Sequence, residues 1–415
     1  MTGLEKIRSE RTRDYNPYAD IAIADNLAEL ADRREKCPLS YSTTGPDGFW
    51  VATAYDDISA LLRRNSRGVV SYPNSPFGVT DMKGGQKAMI PIEIDGPAHY
   101  QYRKLLDPFF APAAIAELEP KVRKVAISLI DEFIEDGHCD FVPQFAFSFP
   151  GSTVMQLMGW PLADGPMMAS WVDTLLHGVR GATEDESNAA RVAVMGKVRE
   201  YFIDQIDRRR RSPTSDVTTF MLNVELDGRK LTEDELYDNF VLMMTAGLDT
   251  VNSVLAQSFV YLGGHQELWS QMFESPENLD LAIEEFLRWG SPAVPTRTVT
   301  DEGIVVRDLE IPVGERVHCP LAAANRDPKY YPEPDEVRLD RPLKPHLAFG
   351  LGPHRCIGSH LARMEMRVAY QELHRRIPEF RLDETKPPRD HLGLAWGTEN
   401  VHILFAPGTR DAAAS

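Results

Sequence analysis

Phe349-Gly-Leu-Gly-Pro-His-Arg-Cys-Ile-Gly358 sets one cysteine in a glycine-rich loop ahead of a strongly helical run. Gly350 and Gly352 let the backbone take left-handed turns and approach a ligand closely, and Pro353 stiffens the segment before Cys356. Beyond the cysteine, Ile357, Leu361, Met364 and Val368 recur at helical spacing. That spacing places the sulfur at a helix N-terminus, where the macrodipole favours a thiolate. A thiolate there is a nucleophile or a metal ligand.

Three readings compete for Cys356. Most single cysteines are buried structural thiols. A nucleophile would want a base or an anion cradle, but the nearest downstream arginine is Arg363 and no cysteine-hydrolase signature surrounds the loop. Ligation of haem iron needs one thiolate, an apolar residue to stack on the ring and basic groups for two propionates. Phe349, His354 and Arg355 meet those needs. The pattern F-x-x-G-x-H-x-C-x-G, closed by Gly358, resembles the haem-binding loop of the cytochromes P450. Two further motifs of that family stand in the expected order, Ala246-Gly-Leu-Asp-Thr250 and Glu285-Phe-Leu-Arg288, and the resemblance runs over nearly the whole chain.

Composition sets the frame. Hydrophobic residues at 43% and charged residues at 26% are ordinary for a globular protein with a substantial core and exclude a disordered class. No Pro/Gly/Ser-rich linker divides the 415 residues, so one domain over 1–415 is expected, with flexible tails at 1–14 and 406–415. The formal charge of −17 repels nucleic acid. Arg208 to Arg211 then reads as a solvated, basic end to a long helix. Met1 to Asp14 has no apolar signal core, and no segment runs ~18 apolar residues without a charge. The expectation is a cytoplasmic protein with no membrane anchor. Cys37, Cys139, Cys319 and Cys356 have neither paired-ligand spacing nor the density of a disulfide framework, and the absence of C-x-x-C-H argues against covalent haem attachment.

Along the chain, Asp20 to Arg34 and Tyr55 to Arg64 have helical spacing, and Gly45-Pro-Asp-Gly48 turns a hairpin within Leu39 to Thr53. Val69 to Lys87 is aperiodic and rich in Pro, Gly and Ser, which suits a mobile loop at a substrate entrance. Asp95-Gly-Pro97 opens a helix that puts His99 and Arg103 on one face, four residues apart, as a donor pair for an anion or as a plain surface pair. From Lys121 to Arg211 the pattern is helical, with interruptions at Gly137, Phe149-Pro-Gly151, Gly159-Trp-Pro161 and Gly181. Trp171, Leu175 and Leu176 are candidates for a pocket roof, although such a stripe is usually core. Thr232-Glu-Asp-Glu235 is a capping box, and the helix it opens reaches about Gly263, on the order of 45 Å away. Met243, Ala246, Gly247 and Thr250 share one face of it. Thr250 can turn its hydroxyl to a carbonyl one turn earlier. Pro276 to Trp289 carries Glu285 and Arg288 three apart, an ordinary helical pair on spacing alone. Short β-rich runs follow at Thr298 to Thr300, Ile304 to Val306 and Arg316 to His318, preceded by Arg297, and Gly393 to Gly397 and Val401 to Phe405 close the chain as hairpin-like strands.

The resemblance implies more than these patterns do. Its fold is mainly α with small β-sheets, a triangular helical prism around haem. It implies non-covalent haem b, ligated by Cys356, faced by Phe349 and Gly358, with propionates held by His99, Arg103, Arg297 and His354. Glu285, Arg288 and Arg341 become a buried clamp beneath the cysteine loop. Asp249 and Thr250 become the acid–alcohol pair that organises water and delivers protons to dioxygen. The reaction is insertion of one oxygen atom into an unactivated bond at the expense of two electrons. No flavin domain or iron–sulfur cysteine cluster is visible, so a separate ferredoxin and its reductase are expected as partners, docking near Arg103, Arg355 and Arg363. Met243, Ala246, Ala293, Val294, Leu394 and Ala395 would line an apolar pocket for a terpenoid or another small alicyclic or aromatic compound. Lys87 falls where the camphor-oxidising bacterial type carries a hydrogen-bonding tyrosine. An inward-facing lysine there would favour an aromatic or fatty carboxylate instead. A peroxygenase would not be expected to keep the acid–alcohol pair, and a haem sensor would need an output domain.

Overall fold

The computed structural model of the protein describes residues 3–45, 47–64, 68–71, 88–179, 181–300, 303–342 and 344–411. Lys87 and most of the aperiodic stretch before it lie outside these, and the orientation of Lys87 is not among the described features.

Helix Glu233–Gly263 spans 31 residues, and the rest of the helical layer is built on it. It starts where the capping box predicts: Thr232 Oγ1 accepts from Glu235 N–H, and Glu235 Oε2 accepts from Thr232 N–H at 2.7 Å. Every residue from Val251 to Phe259 is buried, all round its circumference, so it is a core helix rather than a surface one. Helices Ser148–Met158 and Gly165–His177 pack on it, and helix Pro112–Asp131 packs on helix Ser359–Arg376, which follows the cysteine loop. No helix among the described residues is long and apolar enough to cross a membrane.

The β-structure is small and peripheral, as expected. A five-stranded sheet runs Leu39–Ser42, Phe49–Ala52, Arg316–His318, Thr296–Val299, Val69–Val70, with one parallel pair between Phe49–Ala52 and Arg316–His318. Phe380–Leu382, His402–Phe405 and His138–Asp140 form a second sheet, and Arg389–His391 pairs with Gly397–Asn400. Arg297 lies inside a strand rather than ahead of it.

Three expectations need correction. Phe149-Pro-Gly151 is not a break: Pro150 sits in the first turn of helix Ser148–Met158, where a missing N–H leaves no bond unmade. Within the expected tail 1–14 the described residues, from 3 on, are held: Gly3–Arg11 is helical, Arg8 pairs with Glu315 and its guanidinium lies 4.7 Å over the Tyr41 ring. Residues 406–411 are also held. Gly408 N–H donates to Ile134 O (2.9 Å), and Asp411 Oδ2 meets Arg375 Nη2 at 2.6 Å. Both ends are charged, and their partners are hundreds of residues away for Arg8 and in another element for Asp411, where local periodicity carries no trace of them.

The clamp is assembled from the residues the motif singled out. Arg288 donates to both oxygens of Glu285 at 2.7 and 2.8 Å, and Arg341 Nε donates to Glu285 Oε1 at 2.7 Å. The remaining donors of Arg288 end on the carbonyls of Asn325, Pro334 and Glu336. With Arg288 1% exposed, a pair this deep is stable only because every donor is used. Burial works against the Glu285 charge, but the two arginines hold its carboxyl below the usual range. Asn325 carries the network upward: its Oδ1 accepts from Leu347 N–H at 2.7 Å, two residues before the cysteine loop begins.

Glu365, on the cysteine helix, has no such partner in charge. It is 1% exposed, and burial pushes its carboxyl up to about 8, with Thr153 offsetting only part of the effect. Because the folded value is raised, the stability tied to this group is fully present below about 4.5 and is lost as pH climbs towards about 8. Glu365→Gln should therefore gain stability over the parent between pH 5 and 8, by up to about 1.4 kcal/mol per pH unit. Denaturant unfolding at several pH values measures this; a pH-independent difference would show that Glu365 is ionised in the folded protein.

Candidate functional site

The cysteine loop is closed by its own backbone. Cys356 N–H donates to Phe349 O (2.8 Å), Gly350 N–H to Leu347 O (2.8 Å) and Arg355 N–H to Gly352 O (3.1 Å). Gly350 and Gly352 have φ of 64° and 71°, in the left-handed region expected of them. At Gly352 a side chain is also excluded by space, since a Cβ would come within 2.5 Å of Leu62 O.

The loop presents Cys356 to a cavity of about 420 Å³. The sulfur is accessible from the cavity but surrounded by protein on its other sides. That desolvation pushes the thiol up, while the Gly358 N–H and the positive fields of Arg103, Arg355 and Arg363 pull it down. The net direction is upward, so burial outweighs the pull of the helix N-terminus and the arginines that the dipole expectation rests on. Arg363 lies 4.6 Å over the Phe349 ring and pairs with Glu284, so it is not a free surface charge, and Arg103 lines the cavity. Of the three arginines considered for docking, Arg355 is the exposed one.

At one end of the cavity stand His99, Arg103, Arg297 and His354. Arg297 is buried and donates to Thr296 O (2.9 Å), and among the described residues it has no ion pair with a carboxylate. A buried guanidinium without a counter-charge costs several kcal/mol unless an anion meets it. His99 is 1% exposed, its Nδ1 has no hydrogen-bond partner, and burial followed by the charges of His354 and Arg103 pushes it down to about 4. It is a neutral donor. His354 stacks against it, with ring centroids 4.1 Å apart, and its Nε2 meets Asp95 Oδ1 (2.9 Å) and Ser71 Oγ (3.1 Å). These last two partners were not legible in the sequence, since Ser71 and Asp95 are 283 and 259 residues from His354.

The opposite wall is the long helix. Met243, Ala246, Gly247 and Thr250 all face the cavity, as do Ala293, Val294, Leu394 and Ala395 from two segments joined by the Ala293–Ala395 bridge. Thr250 Oγ1 donates to Ala246 O at 3.0 Å, the back-bond expected of it. Ala246 provides the open space. Gly247 also serves helix packing, because a Cβ there would come within 2.5 Å of Val154. Leu176 reaches the cavity, whereas Leu175 is core and Trp171 packs edge-on to Tyr201.

Asp249 faces away from solvent, 1% exposed, although it also borders the cavity. Its Oδ2 lies 3.4 Å from His177 Nε2, and His391 stands beside His177 with ring centroids 3.9 Å apart. Burial alone would raise the Asp249 carboxyl, but the two imidazoles hold it below the usual range; the same carboxylate raises His177 against its own burial. Neither histidine was singled out from the sequence. His177 ends a helix and His391 a short strand, and nothing local marks either.

The donor set fits an iron porphyrin. One sulfur faces the cavity, the far wall is apolar, and at one end stand Arg297, with no carboxylate partner among the described residues, and His99, whose Nδ1 has no hydrogen-bond partner among them. A Cβ at Gly358 would meet only the Cys356 sulfur, at 3.8 Å, so the glycine leaves the cavity side of the loop open.

Comparison with known proteins agrees. The family model described as Cytochrome P450 matches residues 166–405. The probable cytochrome P450 127A1 of Sinorhizobium fredii is 35% identical over 381 residues, 89% of this chain and 87% of that protein. The mycinamicin IV hydroxylase/epoxidase of Micromonospora griseorubida is 32% identical over 380 residues, 90% of this chain and 92% of that protein. A mutant of P450 EryK solved with erythromycin B superposes with a TM-score of 0.82 at 28% identity, covering 94% of this chain and 98% of that one. A 35% identity over most of the chain, on the same fold and around a cavity that fits a thiolate-ligated porphyrin, leads to one conclusion: the chain belongs to the cytochrome P450 family, the monooxygenases that bind iron protoporphyrin IX non-covalently.

Proposed function

We propose that the protein hydroxylates an uncharged, largely apolar organic molecule of the terpenoid or alicyclic kind, using dioxygen and two electrons delivered by a ferredoxin and its reductase. The observation that carries this reading is that Cys356 and Thr250 open into one cavity whose far wall is apolar.

Cys356 would hold the haem iron through its sulfur, Phe349 and Gly358 would lie against the ring, and Arg103, Arg297, His99 and His354 would hold the propionates. When bound, the haem supplies the dioxygen-activating redox chemistry of the reaction, tuned by the thiolate. The chain's own groups do the rest. Propionates would give Arg297 the anion that it lacks among the described residues, so haem binding and folding would reinforce each other. Thr250 holds a hydroxyl at the cavity wall, bonded back to Ala246 O, from which it can donate to an oxygen or a water. Asp249, one residue before it, is held below the usual carboxylate range because His177 and His391 offset its burial, and can accept and return a proton through water.

Ala246, Ala293, Val294, Leu394 and Ala395 offer shape and no charge to a substrate. Relatives extend the size range. Their names include a steroid C26-monooxygenase of Mycolicibacterium smegmatis and a vitamin D(3) 25-hydroxylase of Pseudonocardia autotrophica. The ferredoxin is supported by exposed Arg355 on the cysteine loop, with Arg103 and Arg363 adding positive field at the sulfur. Four free cysteines support a reducing, cytoplasmic setting.

The substrate reading is tested by titrating the haem-loaded enzyme with neutral terpenoids and steroids beside matched aromatic and fatty carboxylates. Displacement of axial water by the neutral compounds is expected; shifts confined to the acids, and lost in Lys87→Met, would replace it with the carboxylate reading. For proton delivery, Thr250→Ala should bind the same ligand with unchanged affinity and consume reductant while releasing peroxide, so that product per electron falls about tenfold. Fully coupled product formation by that variant would remove Thr250 from the relay.

A further inference from the structure

Three side chains from separate elements converge one residue from Thr250. His177 ends helix Gly165–His177, Asp249 lies within the long helix, and His391 ends strand Arg389–His391. Each offers one ligand atom, and the three atoms lie within 4.8 Å of one another. His177 Nε2 and Asp249 Oδ2 are 3.4 Å apart. That is close to the ~3.4 Å edge of a tetrahedron built on ~2.1 Å bonds to nitrogen and oxygen. The third ligand atom has at most about 1.4 Å to close to complete such a face.

The group lies in a place where unjoined polar atoms are costly. Asp249 is 1% exposed. Among the described residues its Oδ2 and both ring nitrogens of His177 are buried without a hydrogen bond of good geometry, and the 3.4 Å between Oδ2 and His177 Nε2 is a long contact. A single proton can join two of the three side chains. A divalent cation meets all three, and two imidazoles with one carboxylate are the ligand types that suit zinc, with water in the fourth position. The surroundings are fitted to the imidazole as well: a Cβ at Gly397 would come within 2.7 Å of the His391 ring.

We propose that His177, Asp249 and His391 bind a divalent first-row cation, zinc by ligand preference, and that its occupancy slows turnover by tying the Asp249 carboxylate to the metal. Only the inhibitory half rests on the proton-delivery reading of Asp249; the binding half is independent of it.

The test uses the full-length, haem-loaded enzyme, stripped with a chelator and dialysed against micromolar zinc. Metal content is then read by elemental mass spectrometry against haem iron. One zinc per haem is expected in the parent, falling at least tenfold in both His391→Ala and His177→Asn, with the haem spectrum of each variant reporting that it has folded. No stoichiometric zinc in the parent, or equal zinc in parent and both folded variants, overturns the site. In turnover assays the ratio of rates without and with zinc should be about ten in the parent and near one in His391→Ala. Stoichiometric binding with no slowing overturns the inhibitory role. The metal stoichiometry reads the same whether or not any substrate turns over, so failure of the monooxygenase reading is seen separately.

Discussion

An uncompensated charge in a low-dielectric interior is the constraint on which the rest of this molecule depends. Arg297 is a buried guanidinium with no carboxylate partner among the described residues, and Cys356 is a sulfur whose surroundings resist ionisation without a cation. Left alone, each costs free energy. On the proposed reading an iron porphyrin would relieve both at once, its metal as a cation for the sulfur and its propionates as anions for the arginine. The protein is therefore shaped for its cofactor through what it leaves unsatisfied. Beneath the cysteine loop the chain supplies its own partners instead: Arg288 spends every donor on Glu285 and on nearby carbonyls, Arg341 donates to Glu285 as well, and Asn325 transmits that rigidity to the backbone of the cysteine loop.

The second determinant is the long helix. Because it is buried around its circumference, its position is set by packing, and Gly247 lets Val154 come closer than any side chain would allow. Ala246 and Thr250 are thereby held on the cavity wall. Thr250, the residue proposed for proton delivery, thus sits on a buried, well-packed element, with its hydroxyl bonded within its own helix.

Much of this was legible in the sequence, and the reasons are physical. The capping box at Thr232, the left-handed glycines of the cysteine loop and the period of the long helix are local properties, written in neighbouring residues. The spacing of Glu285 and Arg288 was visible but uninformative alone; the family resemblance gave it meaning. What escaped was non-local. His177 and His391 meet Asp249 only after three elements have packed, Asp95 and Ser71 reach His354 across most of the chain, and the termini find their partners in the same way. Pro150 misled because a proline reads as a break until the helix start before it is known.

The central claim is that the sulfur of Cys356 holds the haem iron, and the carbon monoxide difference spectrum of the reduced protein tests it most directly. The account predicts the red-shifted Soret band of thiolate ligation in the parent protein. It predicts loss of that band in Cys356→Ala, with any retained haem showing the spectrum of a neutral or solvent ligand. Survival of the red-shifted band in that variant would contradict it.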